Sequence, residues 1–320
     1  MSTPEQPAGA PGTPAEQPPA PSGGLWTTLV RFASLVRLSH TIFGLPFTLA
    51  AGILAHRASL AGLGDGDGMT GMELVWIIVA FTGARTAAMG FNRIVDREID
   101  ARNPRTATRE LPAGAISVRA ATLLTVLAAG VFVGAAAALG TTALMLSPVC
   151  LVVVCGYSLF KRFSWTAHLI LGLALSLGPA GAWVAVTGSL EGFALPAVMM
   201  LAVGSWVAGF DVIYSLQDRE FDDEAGLHSI PVAFGERGAL WLSGGLHLVT
   251  AGALVGLHLL AGLGLLHLAG LTAVIAILIY EHSIVRPGDL SRINKAFFDL
   301  NGWISIVYFA ALLGDVLMLH

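Results

Sequence analysis

The sequence predicts an all-α polytopic membrane protein of about nine transmembrane helices around a central cavity. Three observations predict it. The 320 residues are 55% hydrophobic and only 12% charged, with mean hydropathy +0.75, whereas soluble domains carry about 25% charge. Apolar stretches long enough to span a bilayer recur down the chain. A short acidic segment also occurs almost twice: Asp96-Arg97-Glu98-Ile99-Asp100 and Asp218-Arg219-Glu220-Phe221-Asp222. Each copy closes a long apolar stretch.

Residues 1–24 are rich in Pro, Ala, Gly, Gln and Ser, with no Lys or Arg and no apolar run. This composition predicts a disordered tail rather than a signal peptide, followed by one membrane domain over 25–320. The predicted spans are 38–57, 73–93, 119–138, 142–159, 166–187, 195–216, 238–257, 262–284 and 299–319. Gly140 and Gly262 mark the short breaks. Of the 17 Lys and Arg, all but Arg57 and Arg85 fall in the N-terminal segment, in the loops after spans two, four, six and eight, or, as Arg93 and Arg119, at the span ends bordering those loops. Positive charge collects on the cytoplasmic side. These loops and the N-terminus are therefore expected on the cytoplasmic side of the inner membrane, and the C-terminus on the opposite side. The acidic copies follow spans two and six, so the chain reads as two related four-helix halves plus a ninth helix.

A net charge of −4 gives no footprint for a nucleic-acid partner. The two cysteines, Cys150 and Cys155, share one apolar run and read as packing residues. Among the histidines, His40 reads as structural or interfacial. His56, His168, His247, His258, His267 and His282 are scattered singly, show no metal spacing and receive no role.

The first acidic segment continues a helix carrying Arg85 and Asn92. On an unbroken helix Arg85, Asn92, Asp96 and Asp100 share one face, with position 93 pointing away. Carboxylate and amide oxygens are ligands that Mg²⁺ takes, with phosphate and water completing its octahedron. A solvated helix end laced with ion pairs would look similar, but an Arg inside a span needs a polar partner or a function. In the second segment Asp211, Tyr214, Asp218 and Asp222 share a face, and Asp211 lies deepest. A buried carboxylate there is either satisfied by a neighbouring helix or bound to something. Arg102, Arg105 and Arg109 form a basic loop after the first acids, and Lys161-Arg162 closes span four. Positive-inside charge alone would explain them. Their adjacency to carboxylates favours a phosphate held through metal and guanidinium groups together. Arg37 at the start of the first span is either a snorkelling side chain or a clamp for a carboxylate.

At these residues the chain resembles the UbiA superfamily of intramembrane aromatic prenyltransferases, from about Arg37 to the last helix. The pattern N-D-x-x-D-x-x-x-D is matched by Asn92, Asp96 and Asp100, with Arg93 in place of the usual second-position Asp. The pattern D-x-x-Y-x-x-x-D-x-x-x-D is matched by Asp211, Tyr214, Asp218 and Asp222, and Y-x-x-x-K-R by Tyr157, Lys161 and Arg162. Arg37-Leu-Ser-His-Thr-Ile-Phe-Gly, Asn103-Pro-Arg-Thr and Arg109-Glu-Leu-Pro look most like the 4-hydroxybenzoate polyprenyltransferase-type branch. Within it they look most like members associated with menaquinone made by the futalosine route.

The resemblance implies transfer of a polyprenyl chain from its diphosphate to an aromatic acid. It implies Mg²⁺ at Asn92, Asp96 and Asp100 and again at Asp218 and Asp222. Arg102, Arg105, Arg109, Lys161 and Arg162 would contact the diphosphate, Asp211 and Tyr214 the acceptor, and Arg37 and Arg85 either one. Two other classes fit these residues less well. A CDP-alcohol phosphotransferase would need D-G-x-x-A-R-x8-G-x3-D-x3-D, but Ala80 and Ile94 stand where its Asp and Gly belong. A transporter would distribute its acids through the bundle rather than at one surface.

Overall fold

The computed structural model describes residues 24–37, 41, 43–63 and 68–318. All but one of the residues of the predicted tail, and His40, lie outside them. The described residues form helices and no named strand. Eight helical stretches are long and apolar enough to cross a membrane, and the protein is an integral membrane protein. The remaining predicted span is α2, Leu45–Leu60, 16 residues long and so about 24 Å at 1.5 Å per residue.

An amphipathic helix, α1 (Leu25–Leu35), precedes the bundle and buries Phe32 and Leu35 against Leu111, Ile116 and Ala121. Its Leu25 and Trp26 remain exposed. Next comes α2, with proline in its first turn, where the missing N–H costs nothing. Helix α3 (Gly71–Val95) opens with a capping box between Thr70 and Glu73. It ends at the first acidic segment, which forms the short helix α4 (Arg97–Arg102). Helices α5 (Val118–Ala138) and α6 (Thr141–Phe160) complete the first half.

The second half repeats the order: α7 (Ala167–Thr187), α8 (Ala194–Ser215), short α9 (Arg219–Glu224), α10 (Ile230–Leu260) and α11 (Leu265–Ile284). A π-helical turn, Lys295–Leu300, leads into α12 (Asn301–Met318). Helix α10 begins earlier than the predicted span 238–257. Gly235 takes a left-handed conformation (φ 69°) inside it, and the apolar straight part follows this bend.

Neighbouring helices in one half have matching neighbours in the other, with α3 on α5 as α8 is on α10. The halves differ at their first helix pair. Helices α7 and α8 touch backbone to backbone, since a Cβ on Gly172 would stand 2.2 Å from the Gly204 carbonyl oxygen. Helices α2 and α3 stand apart around a cavity of about 490 Å³, which is also bounded by α5, α6 and α7. The cavity therefore lies on the first-half side of the bundle.

The largest core cluster joins α2, α7, α8, α10, α11 and α12 through Phe47, Trp183, Trp206, Leu254, Leu271 and Tyr308. Phe47 stacks on Tyr308 at 4.8 Å and meets Trp206 at 5.0 Å. The outward faces are apolar too: Leu123, Val126 and Val131 on α5, Val149 and Val152 on α6, and Trp241 and Leu248 on α10 are exposed. An exposed face of this kind suits lipid rather than water.

Candidate active site

The two acidic copies build the same corner. Asp96 is the joint between α3 and α4 (φ −93°, ψ 4°). Asp218 is the joint before α9 (φ −102°, ψ 1°), after a 3₁₀ turn over Leu216–Asp218. Both sit in the sparsely populated bridge region, which bends the chain without breaking it. The expectation of one unbroken helical face is thereby corrected. The bend at each joint carries Asp100 and Asp222 into the protein, and both are buried.

Each corner carboxylate meets a cation. Arg162 Nη2 lies 3.0 Å from Asp96 Oδ1, and Asn92 Nδ2 donates to Asp96 Oδ2 at 2.8 Å. Arg109 Nη1 lies 2.7 Å from Asp100 Oδ1. Arg105 grips Asp218 with two nitrogens, Nε donating to Oδ1 at 2.8 Å and Nη2 to Oδ2. Its Nη1 donates to the Tyr214 hydroxyl at 3.0 Å. Lys161 Nζ lies 2.8 Å from Asp222 Oδ1, and the Ser229 side chain also reaches this carboxylate. The Arg105 and Lys161 pairs both run from the first half to the second.

Burial raises the Asp96 pKa above the ordinary carboxylate range, with Arg162 pulling against it. Burial pulls Arg105 down, but its hydrogen bonds to Asp218 and the charge there hold it above its usual value.

Three residues of the site escaped sequence reasoning. Asn103 donates to Asp218 Oδ1 at 2.9 Å while its own Oδ1 accepts from the Arg105 backbone N–H at 2.9 Å. Its clue is the Asn-Pro turn that follows the first acids. His168, given no role above, stands with Nδ1 2.7 Å from Asp211 Oδ2. Asp211 is thus satisfied by a neighbouring helix, one of the two readings left open.

Arg93 is the third, and here the expectation that position 93 points away is overturned. Its side chain is buried, with Nε donating to the Leu35 carbonyl at 3.3 Å and Nη1 4.0 Å from Asp100 Oδ2. A long guanidinium can fold back across the corner, and the low-dielectric interior favours its ending beside a carboxylate.

The other candidates are less gathered. Arg102 and Arg37 are exposed and make no ion pair among the described residues; Arg37 takes a left-handed backbone (φ 49°). Arg85 lines the cavity together with Phe81, Ala84, Met89 and Tyr157, and its buried Nε has no hydrogen-bond partner. Tyr214 packs on Phe297 of the π-helical turn, ring centres 4.1 Å apart.

No three His, Cys, Asp or Glu side chains converge on one point among the described residues. The donors at each corner are oxygen only, two carboxylates apiece. That suits a hard cation which keeps most of its shell for phosphate and water.

The profile described as the UbiA prenyltransferase family matches residues 27–305. The chain belongs to this family. It is a prenyltransferase, and its fold is that of solved UbiA homologues. A UbiA homologue from Aeropyrum pernix K1 is 33% identical with a TM-score of 0.78, covering 87% of this chain and 98% of its own. A homologue from Archaeoglobus fulgidus, solved bound to DMAPP and Mg²⁺, is 21% identical with a TM-score of 0.68 and covers 89% and 99%. Among curated relatives, a 4-hydroxybenzoate octaprenyltransferase of Nitrosospira multiformis is 29% identical over 257 residues, 79% of this chain and 86% of its own.

Proposed function

We propose that this UbiA-family enzyme transfers a polyprenyl group from polyprenyl diphosphate to an aromatic acid, in an Mg²⁺-dependent reaction at the cytoplasmic face of the inner membrane. The acceptor is 4-hydroxybenzoate or a dihydroxynaphthoate, as in ubiquinone or menaquinone biosynthesis. One observation carries the reading. Four carboxylates and four cations alternate at one end of the bundle, next to an apolar cavity that holds a half-buried arginine. The ligands of the A. fulgidus homologue and the naming of the N. multiformis relative agree with it.

Asn92, Asp96 and Asp100 would hold one Mg²⁺, and Asp218 and Asp222 a second. Bound there, the metal neutralises the diphosphate and makes it a better leaving group. Arg105, Arg109, Lys161 and Arg162 already stand among these carboxylates, and on substrate binding they would turn from carboxylate to phosphate oxygens. Total charge stays balanced through the exchange, so no buried charge is left unpaired. Arg102, being exposed, would at most contact the phosphate from outside.

The cavity beneath takes the apolar tail and excludes water from the allylic carbon once its C–O bond ionises. Arg85, pointing an unpartnered nitrogen into the protein there, would bind the acceptor carboxylate or the diphosphate, and Arg37 is a second candidate for that contact. Asp211 and Tyr214 would face the acceptor hydroxyl.

The test is the purified protein in nanodiscs with Mg²⁺ and a long-chain polyprenyl diphosphate. 4-Hydroxybenzoate and 1,4-dihydroxy-6-naphthoate are offered in parallel and products are read by mass spectrometry. A prenylated product from one acceptor, lost with EDTA, is expected. Near-normal turnover by a folded Asp96→Ala/Asp218→Ala double variant would refute the metal assignment.

A further inference from the structure

His168, on α7, lies between two partners and is itself buried, at 5% exposure. Its Nδ1 is 2.7 Å from Asp211 Oδ2 on α8. Its Nε2 receives the backbone N–H of Ile230, the first residue of α10, at 3.3 Å. A donor aimed at Nε2 requires a lone pair there. The neutral ring then carries its one proton on Nδ1 and donates it to Asp211. The Asp211 side chain keeps 24% of its surface exposed, against 7% for that of His168. The imidazole is thus a fixed wall, and the carboxylate is the partner that still has an open side.

We propose that His168 is a positioning residue for prenyl transfer. It fixes the orientation of the Asp211 carboxylate, so that the oxygen not bound by His168 receives the acceptor hydroxyl proton. The proposal rests on the reading of Asp211 as the acceptor-side acid. In the step it serves, the ring carbon ortho to the hydroxyl forms a C–C bond to the allylic carbon. The allylic C–O bond breaks, and its electron pair leaves with the diphosphate. The hydroxyl proton passes to Asp211 as the ring oxygen becomes a carbonyl. Loss of the ring proton to water then restores aromaticity while Asp211 returns its proton to the oxygen. One proton is released overall, and Asp211 ends as it began.

The dyad also explains how the second half is tied together at the site. One imidazole links α7, α8 and the start of α10, so a movement of any of these helices turns the carboxylate. An aspartate held by a single fixed donor has one orientation to offer, which is what a proton acceptor in a transition state requires.

The experiment compares three variants with the acceptor that the wild type uses. His168→Leu removes the donor. His168→Asn keeps an N–H close to the Nδ1 position, facing Asp211. His168→Gln keeps one close to the Nε2 position, facing Ile230 instead. We expect kcat to fall about 10- to 100-fold in His168→Leu and His168→Gln. His168→Asn should stay near wild type, and KM for the polyprenyl diphosphate should be unchanged in all three. Adding Asp211→Asn to His168→Leu should cost little more, because the two residues act as one unit.

Wild-type kcat in His168→Leu, or equal kcat in His168→Asn and His168→Gln, would overturn the proposal. Should His168→Leu not fold, the Asn and Gln pair decides alone. A wild type that prenylates neither acceptor would remove the underlying functional reading instead, an outcome recognisable before any variant is made.

Discussion

The ammonium of Lys161 stands 2.8 Å from the Asp222 carboxylate, joining the end of the first half to the second acidic corner. Asp222 is fully buried. The backbone reinforces the link, because the His228 N–H donates to the Lys161 carbonyl at 2.8 Å. Removing the cation leaves a buried carboxylate uncompensated, which costs more than the pair contributes.

Lys161→Met should therefore abolish measurable prenyl transfer and lower the melting temperature in detergent. Lys161→Met/Asp222→Asn should recover much of the melting temperature and none of the activity. Equal melting of the single and double variants would show that the pair does not bear on stability.

Arg93 offers a second test, because it places a cation where the family pattern has an acid. With Arg109 it flanks Asp100, at 4.0 and 2.7 Å. Arg93→Asp would remove one competitor for Asp100 and add a carboxylate to the same corner. Half-saturating Mg²⁺ should fall, and the melting temperature measured in EDTA should fall as well. An unchanged Mg²⁺ dependence would mean that Arg93 serves only to anchor α1 through the Leu35 carbonyl.

Much of this architecture was legible in the sequence, and the illegible parts have a common cause. Apolar runs locate helices because backbone groups in lipid must bond within their own segment. The repeated acids located both corners for the same reason, standing where those runs stop. Facial arithmetic failed at Asp96 because it presumes one helix axis, while Asp96 and Asp218 adopt bridge conformations that change the axis. Arg93 was misplaced by the same presumption, compounded by a side chain long enough to fold back. His168 and Asp211 are 43 residues apart on separate helices, and no periodicity in either one announces the other. Asn103 lies in a legible Asn-Pro turn, but its hydrogen bond to Asp218 spans 115 positions.

Packing supplies a third prediction, independent of the chemistry. A Cβ at Gly172 would meet the Gly204 carbonyl oxygen at 2.2 Å, and backbone cannot yield as a side chain does. Gly172→Ala should destabilise the protein by about 1–3 kcal/mol, the usual range for overpacking. Gly130 in α5 has open space around its Cβ position. Gly130→Ala should be neutral or slightly stabilising, since alanine is the better helix former. Thermal melts of the two variants side by side check both. Equal melting points would mean that α7 and α8 are not in backbone contact.

The cavity gives the last prediction. Ala84 lines it one residue before Arg85, and Phe81 and Met89 flank it on the same helix. The space is about 490 Å³ and bounded mainly by apolar side chains. If it receives the isoprene units of the donor beyond the first, filling it should discriminate by chain length rather than by chemistry. Ala84→Phe adds a ring without introducing charge and leaves every carboxylate and cation of the corners in place. Turnover with a long polyprenyl diphosphate should fall by about tenfold or more, a penalty of roughly 1.4 kcal/mol. Turnover with a dimethylallyl donor should change far less. Each rate is read by product mass spectrometry at saturating acceptor. Equal losses for short and long donors would place the tail elsewhere in the bundle and leave the cavity to the acceptor.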